Sequence, residues 1–430
     1  MARRLAPSLV GLLCLLAFAP SGAMPAAAGE VEDILRAAVA LACAEKPLAG
    51  DDMAAALPGG AGLIDDEPLA MGAMSFGWRR RFDLAAGGGL RITRLAPFGA
   101  LRRVEAEYAA PHDGARRPEV AVVAGPDCAV RAARRLLYDA EGRAETIEML
   151  DPALAPTGAR EPLNPPVPAG VDVVGVTVAV VDSGVNYLLP EVASRLARDA
   201  DGKALGYDYW DLDDRPFDAN PARSPFFPQR HGTRVASVIL SEAPNVRLIP
   251  YRYPRHDPAR WADLIADAAA KGARVVNLAM GSNRADDWHS FVAAVKANAH
   301  ILFVVSAGND GRDLDRRPVY PAAFNLDNMI VVTSADGFGA PAPGSNWGKG
   351  TVDLLVPGER VPVIDFAGAR TTASGASFAA PRVTALAARL AAAHPEWRAA
   401  ELKEAIIARA RMTDAGGPPT TRYGVLDPMQ

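Results

Sequence analysis

From residue 171 onward the chain alternates short, largely apolar runs with stretches of helical periodicity, and few folds accept that pattern. The apolar runs lie at 174–181, 246–251, 275–278, 301–305 and 329–332, and the helical stretches near 233–241, 261–271, 286–299, 377–393 and 399–409. A strand that alternates polar and apolar residues has one wet face, whereas a strand that is apolar at every position is covered on both. Interleaved helices then predict an α/β fold with a doubly wound, mostly parallel sheet and helices on both faces. In such a sheet the loops beyond the carboxyl ends of the strands form the reactive crevice. Asp182, the segment Ala279-Met280-Gly281 and Asn309 each fall just after a predicted strand.

The preceding residues follow different rules. Residues 29–155 predict a smaller α+β domain. Val31, Ile34, Leu35, Ala38 and Leu41 recur at helical spacing. Phe76, Trp78, Phe82 and Leu84 then alternate with Gly77, Arg79, Arg81 and Asp83, and 136–150 reads as a hairpin turning at 139–142. Five prolines among residues 156–168 predict an extended linker over 156–170, which leaves 171–430 for the second domain.

At the amino end, Arg3 and Arg4 precede an apolar run from about Leu9 to Ala19, with small residues after it. That is the pattern of an export signal over residues 1–28, and the run is too short to span the ~30 Å of a bilayer core. The expected location is periplasmic or secreted, with no stable membrane span once the signal is gone. Cys43 and Cys128 then remain, either as a disulfide, the reading favoured in an oxidising compartment, or as two small buried hydrophobes. A net charge of −4 over 430 residues gives no basis for binding nucleic acid.

Three segments supply an acid, a base and a nucleophile in that order: Asp182-Ser183-Gly184, His231-Gly232-Thr233 and Gly375-Ala376-Ser377. A serine hydroxyl is a poor nucleophile until an imidazole takes its proton and a carboxylate orients that imidazole. Other scaffolds carry these groups in the orders His, Asp, Ser or Ser, Asp, His, the latter with its serine in a Gly-x-Ser-x-Gly turn. Here the serine lies in Gly375-Ala376-Ser377-Phe378-Ala379, which lacks the second glycine. His231 alone among the histidines has the Gly-Thr-x-Val-Ala context.

The surrounding blocks VTVAVVDSG (176–184), HGTRVAS (231–237), VVNLAMGS (275–282), VVSAGN (304–309) and SGASFAAP (374–381) resemble the signature segments of the subtilisin-like serine proteases, the subtilases. The resemblance implies Asp182, His231 and Ser377 as catalytic triad and Asn309 as the side-chain donor of the oxyanion hole. It implies that Ala279, Met280 and Gly281 pair with an extended substrate as an added strand, with Ser306, Ala307 and Gly308 as the opposite wall of the first specificity pocket. The function it implies is an exported serine endopeptidase acting on peptide or protein substrates without an organic cofactor. The alternatives are a catalytically silent peptide-binding relative and an esterase on the same triad.

Several positions depart from the family pattern. Ala376 stands where threonine is usual, Arg234 and Ser237 replace a His and a Gly, and Phe378 fills a frequent methionine position. The acidic segment 211–218 resembles a loop that holds calcium in some members, so Asp211, Asp213, Asp214 and Asp218 are candidate metal ligands; the plainer reading is a solvated turn. The domain at 29–155 occupies the place of a propeptide and is either that or an accessory module.

Overall fold

A computed structural model describes residues 28–71, 74–255, 257–412 and 420–429. The export-signal segment lies outside the described residues except for Ala28, the first residue of the first helix. The chain divides into two compact units, one holding the described residues up to Leu136 with Glu148–Ala159, the other Leu137–Ile147 and the described residues from Arg160 on.

The first unit opens with α1 (Ala28–Cys43) and α2 (Gly50–Ala56). An eight-stranded sheet follows in sequence order, its last three strands reaching past the bounds of the unit: β1 (Ala61–Met71), β2 (Met74–Leu84), β3 (Gly89–Leu95), β4 (Arg103–His112), β5 (Ala115–Ala124), β6 (Val130–Tyr138), β7 (Ala144–Leu150) and β8 (Pro156–Pro162). Helix α1 buries Ile34, Leu35, Ala38 and Ala42 against Phe82, Ile92, Val104 and Tyr108, so one helical stripe covers one sheet face. Strand β1 is held by charge as well as by its backbone ladder. Asp65, Asp66 and Glu67 lie opposite Arg81, Arg80 and Arg79, with ion-pair distances of 3.0, 3.0 and 3.1 Å. Cys43 at the end of α1 and Cys128 form a disulfide.

The proline-rich stretch differs from the linker the sequence predicts. Its first part is strand β8, with Pro156 and Pro162 at the two ends, where a missing amide interrupts no ladder. Its remainder is fastened within the second unit: Asn164 Nδ2 donates to Asp213, the Tyr187 hydroxyl to the Pro165 carbonyl and Arg198 to the Pro168 carbonyl.

The second unit contains β9 (Val176–Asp182), α3 (Pro190–Ala193), β10 (Tyr207–Asp208), α4 (Gly232–Glu242), β11 (Val246–Arg252), α5 (Trp261–Ala270), β12 (Val275–Leu278) and α6 (His289–Ala297). It continues with β13 (Leu302–Ser306), β14 (Met329–Ala335), β15 (Leu354–Pro357), the hairpin β16 (Val361–Ile364) and β17 (Arg370–Ala373), then α7 (Ala376–Ala393) and α8 (Ala399–Ile407). The main sheet has the order β10-β11-β9-β12-β13-β14-β15, and its neighbouring strands pair in parallel. Val178 and Val180 join a core with α4 and α7. Ala179 and Val181 join a second core with Trp261 and Leu264 of α5 and Phe291 of α6. Both faces of β9 are therefore dry, which is why its sequence is apolar throughout Val178–Val181. The strand order reverses between β9 and β12, and at such a switch point the loops diverge and leave a crevice.

Candidate active site

Strand β9 brings Asp182 to its carboxyl end, 2% exposed. His231 caps the start of α4, and its Nδ1 lies 2.8 and 2.9 Å from the two Asp182 oxygens. The close approach of the two elements depends on Gly232, where a Cβ would come within 2.0 Å of the Gly184 carbonyl oxygen and 3.0 Å of Asp182 Cβ.

The first amides of a helix need acceptors, and those of α4 find them on neighbouring segments. His231 N donates to Asp218 Oδ1 at 3.1 Å, Gly232 N to Ser183 Oγ at 2.9 Å, and Thr233 N to Asp218 Oδ2 at 2.9 Å. The Ser183 hydroxyl bonds the carboxylates of both Asp182 and Asp218, and the Thr233 hydroxyl donates to Asp218. Asp218 is fully buried, and burial pushes its pKa up against the hydrogen bonds from Ser183 and Thr233; the charge of Asp182 adds to the rise. For His231, burial opposes the charged ring. The Asp182 charge and hydrogen bond, with the charge of Asp218, outweigh it and raise the pKa above its ordinary value, while Arg234 pulls the other way.

Ser377 is the second residue of α7, and its hydroxyl lies 3.5 Å from the Ala279 carbonyl oxygen. Phe378, the next residue, has its ring centroid 5.7 Å from that of His231. Gly375 has φ 125°, and a Cβ there would sit 2.9 Å from Asn309 Oδ1. The gap admits a bond from Ala376 N to Asn309 Oδ1 at 2.8 Å. With Oδ1 used as acceptor, the Nδ2 end of Asn309 is the one left to donate.

A cleft of about 550 Å³ opens beside Asp182 and His231, lined also by Ala279, Met280, Gly281 and Ser282. Tyr253, Trp261 and Trp288 form part of its wall. These aromatics carry no local motif, and only the return of the strand ends to one edge brings them together. Ser306 and Ala307, expected on a pocket wall, are 4% and 0% exposed, Gly308 is half-buried, and none of the three lines this cleft.

The four acidic residues expected as metal ligands do not converge. Asp211 pairs with Arg252, Asp213 accepts from Asn164, Asp214 meets Lys203 at 2.9 Å, and Asp218 caps α4. Each carboxylate already has its own donors, and among the described residues no group of three or more acidic, His or Cys side chains is arranged to hold a metal ion. This donor set does not fit calcium. Of the departures from the family pattern, Ser237 ties β16 to α4, because its hydroxyl donates to the Arg234 carbonyl and accepts from Ile364 N at 2.9 Å.

Residues 174–425 match the model of the Subtilase family. The chain is 31% identical over 232 residues to a thermophilic serine proteinase of Bacillus sp. (strain AK1), covering 50% of this chain and 52% of the relative. It is 28% identical over 270 residues to alkaline serine exoprotease A of Vibrio alginolyticus, covering 60% and 46%. The chain thus spans about half the length of these curated relatives. The crystal structure of a cold adapted subtilisin-like serine proteinase superposes with a TM-score of 0.50 at 24% identity, over 63% of this chain and 94% of that one, a likeness of fold.

Proposed function

We propose that this chain, which belongs to the subtilase family, is an exported serine endopeptidase that hydrolyses peptide bonds through an acyl-enzyme on Asp182, His231 and Ser377. The observation that carries the reading is the two-point contact of Asp182 with His231 Nδ1, at 2.8 and 2.9 Å. It leaves Nε2 as the nitrogen that accepts a proton. Ser377 turns about χ1 from the Ala279 carbonyl toward that nitrogen, loses its proton to it and attacks the substrate carbonyl. Catalytic hydrogen bonds are commonly loose or unformed before substrate binds, and here the Ser377 hydroxyl meets the Ala279 carbonyl at 3.5 Å instead. His231, now charged and stabilised by Asp182, returns the proton to the leaving amine, and water releases the acyl group in the reverse sequence.

The charge that develops on the carbonyl oxygen falls between Asn309 Nδ2 and the backbone amide of Ser377 at the start of α7, where the helix dipole favours it. The extended substrate runs along Ala279–Gly281, and its side chains meet Tyr253, Trp261 and Trp288 in the cleft. The chemistry calls for no organic cofactor. Export is supported by the signal-like residues 1–28 and by a disulfide, which persists in oxidising compartments.

The test is Ser377→Ala. The purified variant is expected to lose casein hydrolysis and fluorophosphonate labelling together while keeping the wild-type circular dichroism spectrum. Undiminished cleavage by the variant would remove Ser377 from the chemistry, and a wild type that neither labels nor cleaves would point to a silent peptide-binding relative.

A further inference from the structure

Asn309 stands on an exposed loop after β13, yet an oxyanion donor has to be held closely, since misplacement by ~1 Å costs on the order of 10²-fold in rate. One residue elsewhere in the fold supplies much of the restraint on its backbone. Asn346 is 0% exposed and lies between β14 and β15. Its Nδ2 donates to the Ala307 carbonyl at 2.7 Å, and its backbone N to the Gly308 carbonyl at 3.0 Å. Its Oδ1 accepts from Asp310 N at 3.0 Å and from Arg312 N at 2.9 Å. The backbone on both sides of Asn309 is thus bound to a single side chain and its own amide. Asn346 is itself anchored, its carbonyl accepting from the Thr333 hydroxyl. Contact is close enough that a Cβ on Gly308 would sit 2.8 Å from Asn346 Nδ2.

We infer that Asn346 is a positioning residue for the oxyanion hole, fixing the 307–312 backbone so that Asn309 Nδ2 meets the developing charge. The inference rests on the proposed role of Asn309. The residue type follows from the hydrogen bonds: one short planar group must donate to a carbonyl on one side of Asn309 and accept two amides on the other. Aspartate keeps the acceptor and loses the donor, and alanine loses both. The restraint matters at the transition state, where the oxygen is charged, and hardly at all for the bound neutral amide.

The experiment measures kcat and KM of the full chain on a peptide amide for Asn346→Ala, Asn346→Asp, Asn309→Ala and the double variant Asn309→Ala/Asn346→Ala. Rates are taken per active site counted by fluorophosphonate titration, so that unfolded molecules drop out. Asn309→Ala is expected to lower kcat by about 10²–10³-fold. Asn346→Ala is expected to lower kcat by about tenfold or more with KM within about twofold, and Asn346→Asp by less, in the graded way a lost restraint predicts. In the Asn309→Ala background Asn346→Ala should cost less than about twofold further, because the group it positions is gone. Full kcat per titrated site in both single Asn346 variants overturns the inference, as do losses that multiply fully in the double variant. If Asn346→Ala does not fold, Asn346→Asp and its own double variant with Asn309→Ala decide by the same criteria. A full kcat in Asn309→Ala overturns the oxyanion reading itself and the inference with it.

Discussion

Replacing Asp218 tests whether a buried carboxylate with no part in the proton transfers holds the general base in place. In Asp218→Ala the amide of Thr233 loses its acceptor inside the protein, and that of His231 keeps only Ser183 Oγ at 3.3 Å. The Ser183 hydroxyl has Asp182 Oδ1 to turn to at 3.1 Å, but the backbone amides cannot turn. At about 1–3 kcal/mol for a buried unsatisfied donor, Thr233 N alone makes the loss at least roughly 1–3 kcal/mol. At about 2–4 °C per kcal/mol for a domain of this size, Tm should fall by at least about 2 °C. The melting curves belong in a Ser377→Ala background, where self-digestion cannot contribute.

Asp218→Asn adds a signature in pH. The charge of Asp218 helps raise the His231 pKa, so neutralising it lowers that pKa. The base must be neutral to act, so the acid limb of kcat/KM, expected above the ~6.5 of an unperturbed histidine in wild type, should move to lower pH in the variant. A Tm and a pH profile both unchanged would refute the capping role. A Tm that falls on chelation in wild type and not in the variant would instead make Asp218 a cation ligand.

Two further predictions concern stability. The Cys43–Cys128 bond closes a loop of 85 residues, so the Cys43→Ser/Cys128→Ser variant should lose about 4–5 kcal/mol, the chain-entropy figure for a loop of that size; hydrogen exchange of the β2–β5 amides should show the loss, and unaltered protection would contradict it. Ser237→Ala removes the acceptor of Ile364 N and should cost about 1–3 kcal/mol, read from the midpoint of urea unfolding at constant slope.

What could be read from the chain follows a physical line. Five of the seven strands of the main sheet were legible because burial on both faces leaves a largely apolar record, as in β9 with Val178 and Val180 in one core and Ala179 and Val181 in the other, whereas the short β10 and β15 were not. Strand β1 left no such record: its acidic residues are balanced by arginines on β2, a pairing that becomes visible only once the register is known. The prolines of 156–168 suggested a linker because composition does not reveal that Pro156 and Pro162 sit at the two ends of a strand. The acidic run 211–218 suggested a cation site for a related reason. Burial and partner decide what a carboxylate does, and both are set by residues distant in sequence: Arg252 for Asp211, Asn164 for Asp213, Thr233 for Asp218.

The same line divides the active site. Asp182, His231, Ser377 and Asn309 announce themselves because each belongs to a short segment that also builds a strand end or a helix start, and the local backbone needs the neighbouring small residues. Gly232 admits Asp182, and Gly375 admits Asn309. What sets the distances between segments carries little motif, Ser183 alone lying inside a signature segment. Ser183 and Asp218 reach the amides of α4 from two loops, and Asn346 reaches the Asn309 loop from beyond β14. These are single polar residues, buried to 1%, 0% and 0% exposure, whose partners lie 49, 13 and 36 residues away. A chain could keep every signature segment and still lose alignment through Asp218 or Asn346. Activity in a fold of this kind therefore depends on two sets of residues: those that perform the chemistry, recognisable from their neighbours in sequence, and those that hold the first set in register, recognisable chiefly from their neighbours in space.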